Sequence, residues 1–205
     1  NMITAGLNFG QIVVAVLGAL IITGEYSSGQ IRSSLAAVPK RGQLLVAKAV
    51  VLAIVSFLLG SLSVFLSWAI SKPFIGEHAG SLTDSHYAGH IWGSGLVFAV
   101  IALMALGLGF LLRSTAGAIT VVVSLLFVIT IPLQLAASKW EWINKVIGCL
   151  PSTVSEAVSD PFQRTTEWGG QGAQFLTHGQ AIAVFAAWAL VPLIAAWFVF
   201  SRRDA

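Results

Sequence analysis

The chain has 205 residues, of which 57% are hydrophobic and only 9% charged, and its mean hydropathy is +0.87. A water-soluble domain carries roughly 25% charged residues and already shows much apolar surface, so this composition excludes a soluble fold and makes lipid the main solvent. The net charge is only +3 despite a pI near 9.4. That is too little to argue for a nucleic-acid partner, and where the charges fall matters more than their sum.

A bilayer core about 30 Å thick needs roughly 20 residues of apolar helix. Five runs reach that length without an acidic residue: 3–23, 46–70, 91–112, 117–137 and 180–200. They predict an all-α integral membrane protein with one transmembrane domain over 1–205, a cytoplasmic loop over 24–45 and two outer loops, 71–90 and 138–179. The opening NMITAGLNFG has neither the cationic region nor the small-residue cleavage site of a signal peptide. Gly6 and Gly10, in a GxxxG spacing, favour close helix packing.

Charge fixes the expected orientation. The connections on one side carry Arg32, Lys40, Arg41, Lys48, Arg113, Arg202 and Arg203 against Glu25 and Asp204. The connections on the other carry Lys72, Lys139, Lys145 and Arg164 against Glu77, Asp84, Glu141, Glu156, Asp160 and Glu167. By the positive-inside rule the first side, with the C-terminus, is cytoplasmic. Asn1 then lies outside, which predicts a further span upstream and six in all. A single cysteine, Cys149, excludes an internal disulfide.

The most basic stretch is GEYSSGQIRSSLAAVPKRG, residues 24–42. Its spacing predicts a short helix over Ser27–Val38, capped by Ser27 or Ser28 and ended by Pro39, which disfavours a helical Val38. Ile31, Leu35 and Val38 fall at i, i+4 and i+7 as one apolar stripe, with Arg32, Ser33 and Ser34 off it. Such a helix can lie on the lipid, with Lys40 and Arg41 facing anionic headgroups, or dock its stripe into a groove of a partner.

Farther along, His86 and His90 stand four apart near His78 and Asp84, but without an HExxH pattern interfacial histidines are the plainer reading than a metal site. Ser94 in WGSGL has no intramembrane base to activate it. Asn8, Gln11 and Gln134 are polar but cannot cycle a proton, which argues against ion-coupled transport. Pro132 predicts a kink in the fourth span. In KWEWINKVIGCLP, Trp140, Ile143, Ile147 and Leu150 form one stripe, predicting an amphipathic helix at the outer interface with tryptophan anchors. Asp160–Gly172 reads as irregular. No GxxxxGK[ST] occurs, so the chain is not itself a P-loop ATPase.

The string TGEYSSGQIRSSLAAVPKRGQLLVAKA, followed by LGLGFLLRSTAGAI at 106–119 and the terminal RRDA, resembles the permease subunit of bacterial ATP-binding-cassette exporters of the type 2 (ABC-2) family. The resemblance implies a six-helix permease of which this chain matches helices two to six. It also implies a coupling helix framed by Glu25, Gly29, Pro39, Lys40 and Arg41, which with Arg32 and the Ile31, Leu35 and Val38 stripe would meet the ATPase. Trp140, Ile143, Ile147 and Leu150 would belong to an outer gate of short re-entrant helices. The implied protein is a bacterial inner-membrane exporter with no catalytic, cofactor or metal residue of its own. ATP and Mg would be bound by separate ATPase subunits, and a second permease copy, identical or not, would complete the path. The second and fifth spans of the six, here 3–23 and 117–137, would line it, and a path with so few charges favours hydrophobic or amphipathic cargo. The alternative is a non-transport membrane scaffold or assembly factor whose basic loop binds lipid.

Overall fold

No proline interrupts the chain between Leu7 and Ser28, and this run forms α1 (Leu7–Ser28). It stops at Gly29, whose φ of 73° lies in the left-handed region that a glycine adopts without a Cβ clash. The computed structural model describes residues 6–37, 40–75, 85–159 and 176–202. After α1 come α2 (Ile31–Ala37), α3 (Arg41–Ile75), α4 (Ser85–Leu112), α5 (Thr115–Val123), a π turn (Ser124–Val128), α6 (Thr130–Ala137), α7 (Trp142–Gly148), α8 (Pro151–Ser159) and α9 (His178–Arg202). Every regular element among the described residues is helical.

Five helical stretches are long and apolar enough to cross a membrane: Leu7–Ser28, Arg41–Phe74, Ala88–Leu112, Thr115–Ala137 and His178–Ser201. Several outrun the hydrophobic runs that predict them. At 1.5 Å per residue α3 is about 52 Å long, so it stands well clear of a bilayer core about 30 Å thick.

α4 is the hub. It packs along α3, α1 and α9 and also touches α5 and α8, and Ile101, Ala102, Ala105 and Leu106 at its centre are fully buried. Between apolar helices in lipid, association rests on close van der Waals approach. Glycines supply it here: a Cβ on Gly18 of α1 would collide with the carbonyl oxygen of Ala102, and one on Gly60 of α3 with that of Ser94. The outward faces of α3 and α9 carry exposed side chains such as Val51, Ile54, Leu58, Val191 and Phe198, as expected where lipid replaces water.

The fourth span is irregular at a different place from the expected proline kink. Pro132 has no N–H to give the carbonyl four residues back, and the turn before it widens, the Ile129 N–H reaching the Ser124 carbonyl at 2.9 Å. The irregularity therefore lies over Ser124–Val128, upstream of the proline.

Candidate functional site at the basic end of the bundle

One end of the bundle gathers the basic residues and ties four of the long helices together. α1 runs on through Glu25 and Tyr26 because its first break is Gly29. Glu25, expected on an exit loop, is therefore helical, and so is Lys48, on α3. Their side chains meet, Lys48 Nζ lying 2.7 Å from Glu25 Oε1, with 16% and 20% exposure. The same ammonium group reaches the Ile21 carbonyl at 3.5 Å. The second carboxylate oxygen of Glu25 and the Tyr26 hydroxyl are buried and have no hydrogen-bond partner among the described residues.

The α4–α5 turn comes to the same place. Arg113 adopts a φ of 51°, a conformation that costs a non-glycine residue about 1 kcal/mol or more. That bend puts its guanidinium 5.0 Å from the centre of the Tyr26 ring, in cation–π contact. Ser114 caps α5 by accepting the Gly117 N–H at 3.2 Å. Thr115 and Thr23 share a hydrogen bond of 2.6 Å, while Thr23 Oγ1 donates to the Ala19 carbonyl at 2.8 Å. On the far side of α4, Arg41 at the start of α3 donates to the Phe200 carbonyl of α9 at 3.3 Å and lies 6.0 Å from that ring. Phe200 in turn packs on Phe110 of α4, ring centres 5.0 Å apart.

The short helix α2 bridges α1 and α3 at this end, and it differs from expectation in two ways. Ser27 and Ser28 do not cap it. Their hydroxyls donate back to the Gly24 carbonyl at 3.0 and 2.7 Å, completing the last turn of α1, so α2 begins only at Ile31. The stripe also points inward. Ile31 is 5% exposed and belongs to the core, and Leu35 is half-buried against it. With lipid-facing helices on either side, the nearest apolar surface is the protein's own, and a seven-residue helix reaches it first. Gln30, Arg32, Ser33, Ala36 and Ala37 are left on the outside with Lys40. Gly29 and Arg41 stand at the two ends of the bridge, whereas Val38 and Pro39 lie outside the described residues.

The opposite end is closed by α7 and α8. In the expected outer stripe, Ile143 and Leu150 are buried and Ile147 half-buried, but Trp140 is 55% exposed and precedes α7. The helix starts only at Trp142, so Trp140 falls outside its periodicity. α8, which hydropathy does not reveal, opens on Pro151, a residue whose fixed φ suits a first helical turn. Its last carbonyls are taken by two histidines: His90 Nδ1 of α4 is 2.8 Å from the Ser159 oxygen, and His178 Nδ1 of α9 is 3.2 Å from that of Ala157. Each nitrogen donates in the tautomer that serves a helix C-terminus. His90 thus has a structural post, while His78 and Asp84 lie outside the described residues, among which no cluster of metal-ligating side chains occurs. Trp188 of α9 donates to the Cys149 carbonyl at 2.8 Å, and Thr130 and Ser152 pair at 3.2 Å.

A hub helix, five stretches able to span a bilayer, one end laced by cations and the other covered by two short helices define an all-helical polytopic membrane protein. The chain belongs to the DUF2705 family, described as proteins of unknown function, whose family model matches residues 4–205. No curated protein and no solved structure matches it.

Proposed function

We propose that the chain is the membrane-spanning permease subunit of an ATP-driven exporter of the ABC-2 type, working as a pair of permeases with two separate ATPase subunits that bind ATP and Mg. The observation that supports this most is α2: a short helix held at the basic end of the bundle, joined to α1 through Gly29 and to α3 at Arg41. A helix rooted by Ile31 and Leu35 transmits a push, where a loosely hung one would absorb it. The docking face is accordingly the outward one, with Arg32, Ser33 and Ala36 meeting the ATPase and Ile31 and Leu35 anchoring the lever. The basic end faces the cytoplasm of a bacterial cell, and the cargo is hydrophobic or amphipathic.

The test uses the complete protein extracted mildly from its own membranes and reconstituted in vesicles. An ATPase is expected to co-purify, and Arg32→Glu combined with Ser33→Glu is expected to lower its retention about tenfold, the scale of a charge reversal at an interface. Those two side chains are exposed, so the variant leaves the membrane fold intact. Absence of any associated ATPase, or full retention and ATP-coupled transport by the double variant, overturns the reading in favour of a lipid-binding scaffold.

A further inference from the structure

α3 and α9 both lean on α4 but touch each other sparingly, and a groove of about 430 Å³ remains between them. Leu45, Ala49 and Ala53, four residues apart on one side of α3, form one wall, and Ile194 and Trp197 of α9 form the other. Leu103 of α4 closes the back, and every lining side chain is aliphatic or aromatic. The volume lies within the range of small-ligand sites, about 300–1,000 Å³.

The groove has a polar mouth. Arg41 heads α3 and is held at the α3–α9 seam by the Phe200 carbonyl and ring, and the adjacent Lys40 is exposed. Between them and the apolar walls, the Gly42 backbone lies against the Trp197 indole, where a Cβ would come within 2.9 Å of the ring. Leu45 follows Arg41 by four residues and Ala53 by twelve, so the walls run from roughly 6 to 18 Å along the helix. One leaflet of a bilayer core is about 15 Å deep. Two adjacent cations at the head of α3, one turn before an apolar slot about 12 Å long, match an anionic headgroup above an acyl chain.

We propose that this groove holds an anionic phospholipid, one acyl chain lying between α3 and α9 and the phosphate set against Lys40 and Arg41. The site is distinct from the outward face of α2 and does not depend on an ATPase. A bound lipid here braces α3 against α9, extending the contact that the two helices make directly near Arg41 and Gly42.

The test follows quenching of the Trp197 fluorescence, isolated by difference from Trp197→Phe, in phosphatidylcholine vesicles containing either brominated phosphatidylglycerol or brominated phosphatidylcholine. The anionic lipid is expected to quench at the lower concentration. Lys40→Gln should reduce its advantage roughly fivefold, the contribution of one cation near an anionic surface. Ala49→Phe, which fills the slot, should weaken quenching by both lipids. Lys40 is exposed, so its variant separates lost lipid selectivity from lost folding. Equal quenching by the two lipids, or a preference unchanged in Lys40→Gln, overturns the site as anionic-lipid specific. Failure of both lipids to reach Trp197 overturns it in favour of a protein partner, such as a second copy of the chain, seated in the groove.

Discussion

Glu25 and Lys48 show how much one pair of residues can settle. An acid in a long apolar helix is expensive unless its charge is matched nearby, and the 2.7 Å contact with Lys48 supplies the match while tying α1 to α3. Removing one partner of a fully buried pair costs about 3–5 kcal/mol; with 16% and 20% exposure the cost of Lys48→Ala should be nearer ~2 kcal/mol, because solvent screens what remains. Thermal unfolding in detergent measures it. The double reversal, Glu25→Lys with Lys48→Glu, should recover most of the loss. A reversal no better than the worse single change would mean that the two charges act separately. That these residues pair was not legible in the sequence, since 23 positions separate them and the basic loop looks continuous through both.

At the scale of elements, α2 and α8 carry different lessons about short helices. The i, i+4 spacing of Ile31 and Leu35 correctly marks one face of a helix, but spacing cannot say whether that face meets a partner or the chain's own core. α8 is hidden from hydropathy because its buried residues, Pro151, Val154, Ser155 and Val158, are too few and too mixed to stand out. Its position depends on contacts from distant residues: His90, His178 and the Gly93 backbone, where a Cβ would collide with the Val158 carbonyl oxygen. His90→Ala leaves the Ser159 carbonyl without that donor, a loss of about 1 kcal/mol. Hydrogen exchange should report faster opening of the amides of α8 while those in the middle of α4 keep their protection. Unchanged exchange in α8 would show that His178 and the packing on Gly93 hold the helix without His90.

For the whole molecule, orientation has a direct handle in Cys149, the chain's one cysteine, which is exposed at the α7–α8 end. If the basic end faces the cytoplasm, as the positive-inside rule requires, a membrane-impermeant thiol reagent added to intact cells labels Cys149. In a Cys149→Ser background, Ser33→Cys on the outward face of α2 should react only after the membrane is opened. Labelling of both from the same side would contradict the alternation of helices, and the reversed pattern would invert the proposed direction of coupling.

Composition, hydropathy and charge alone determined that this is a helical membrane protein, where its five long apolar helices fall, and that the net positive charge falls in the connections of one side. Those are properties of individual segments meeting lipid or water, so each segment declares them by itself. Tertiary structure decided the rest: α4 as the hub, the inward turn of Ile31, the pairing of Glu25 with Lys48, the histidines at the end of α8, and the slot between α3 and α9. Each of these depends on which surfaces meet across the bundle. In a chain whose every face is apolar, hydropathy cannot rank one meeting above another. Close approach at glycine and a few polar contacts at the two ends make that choice.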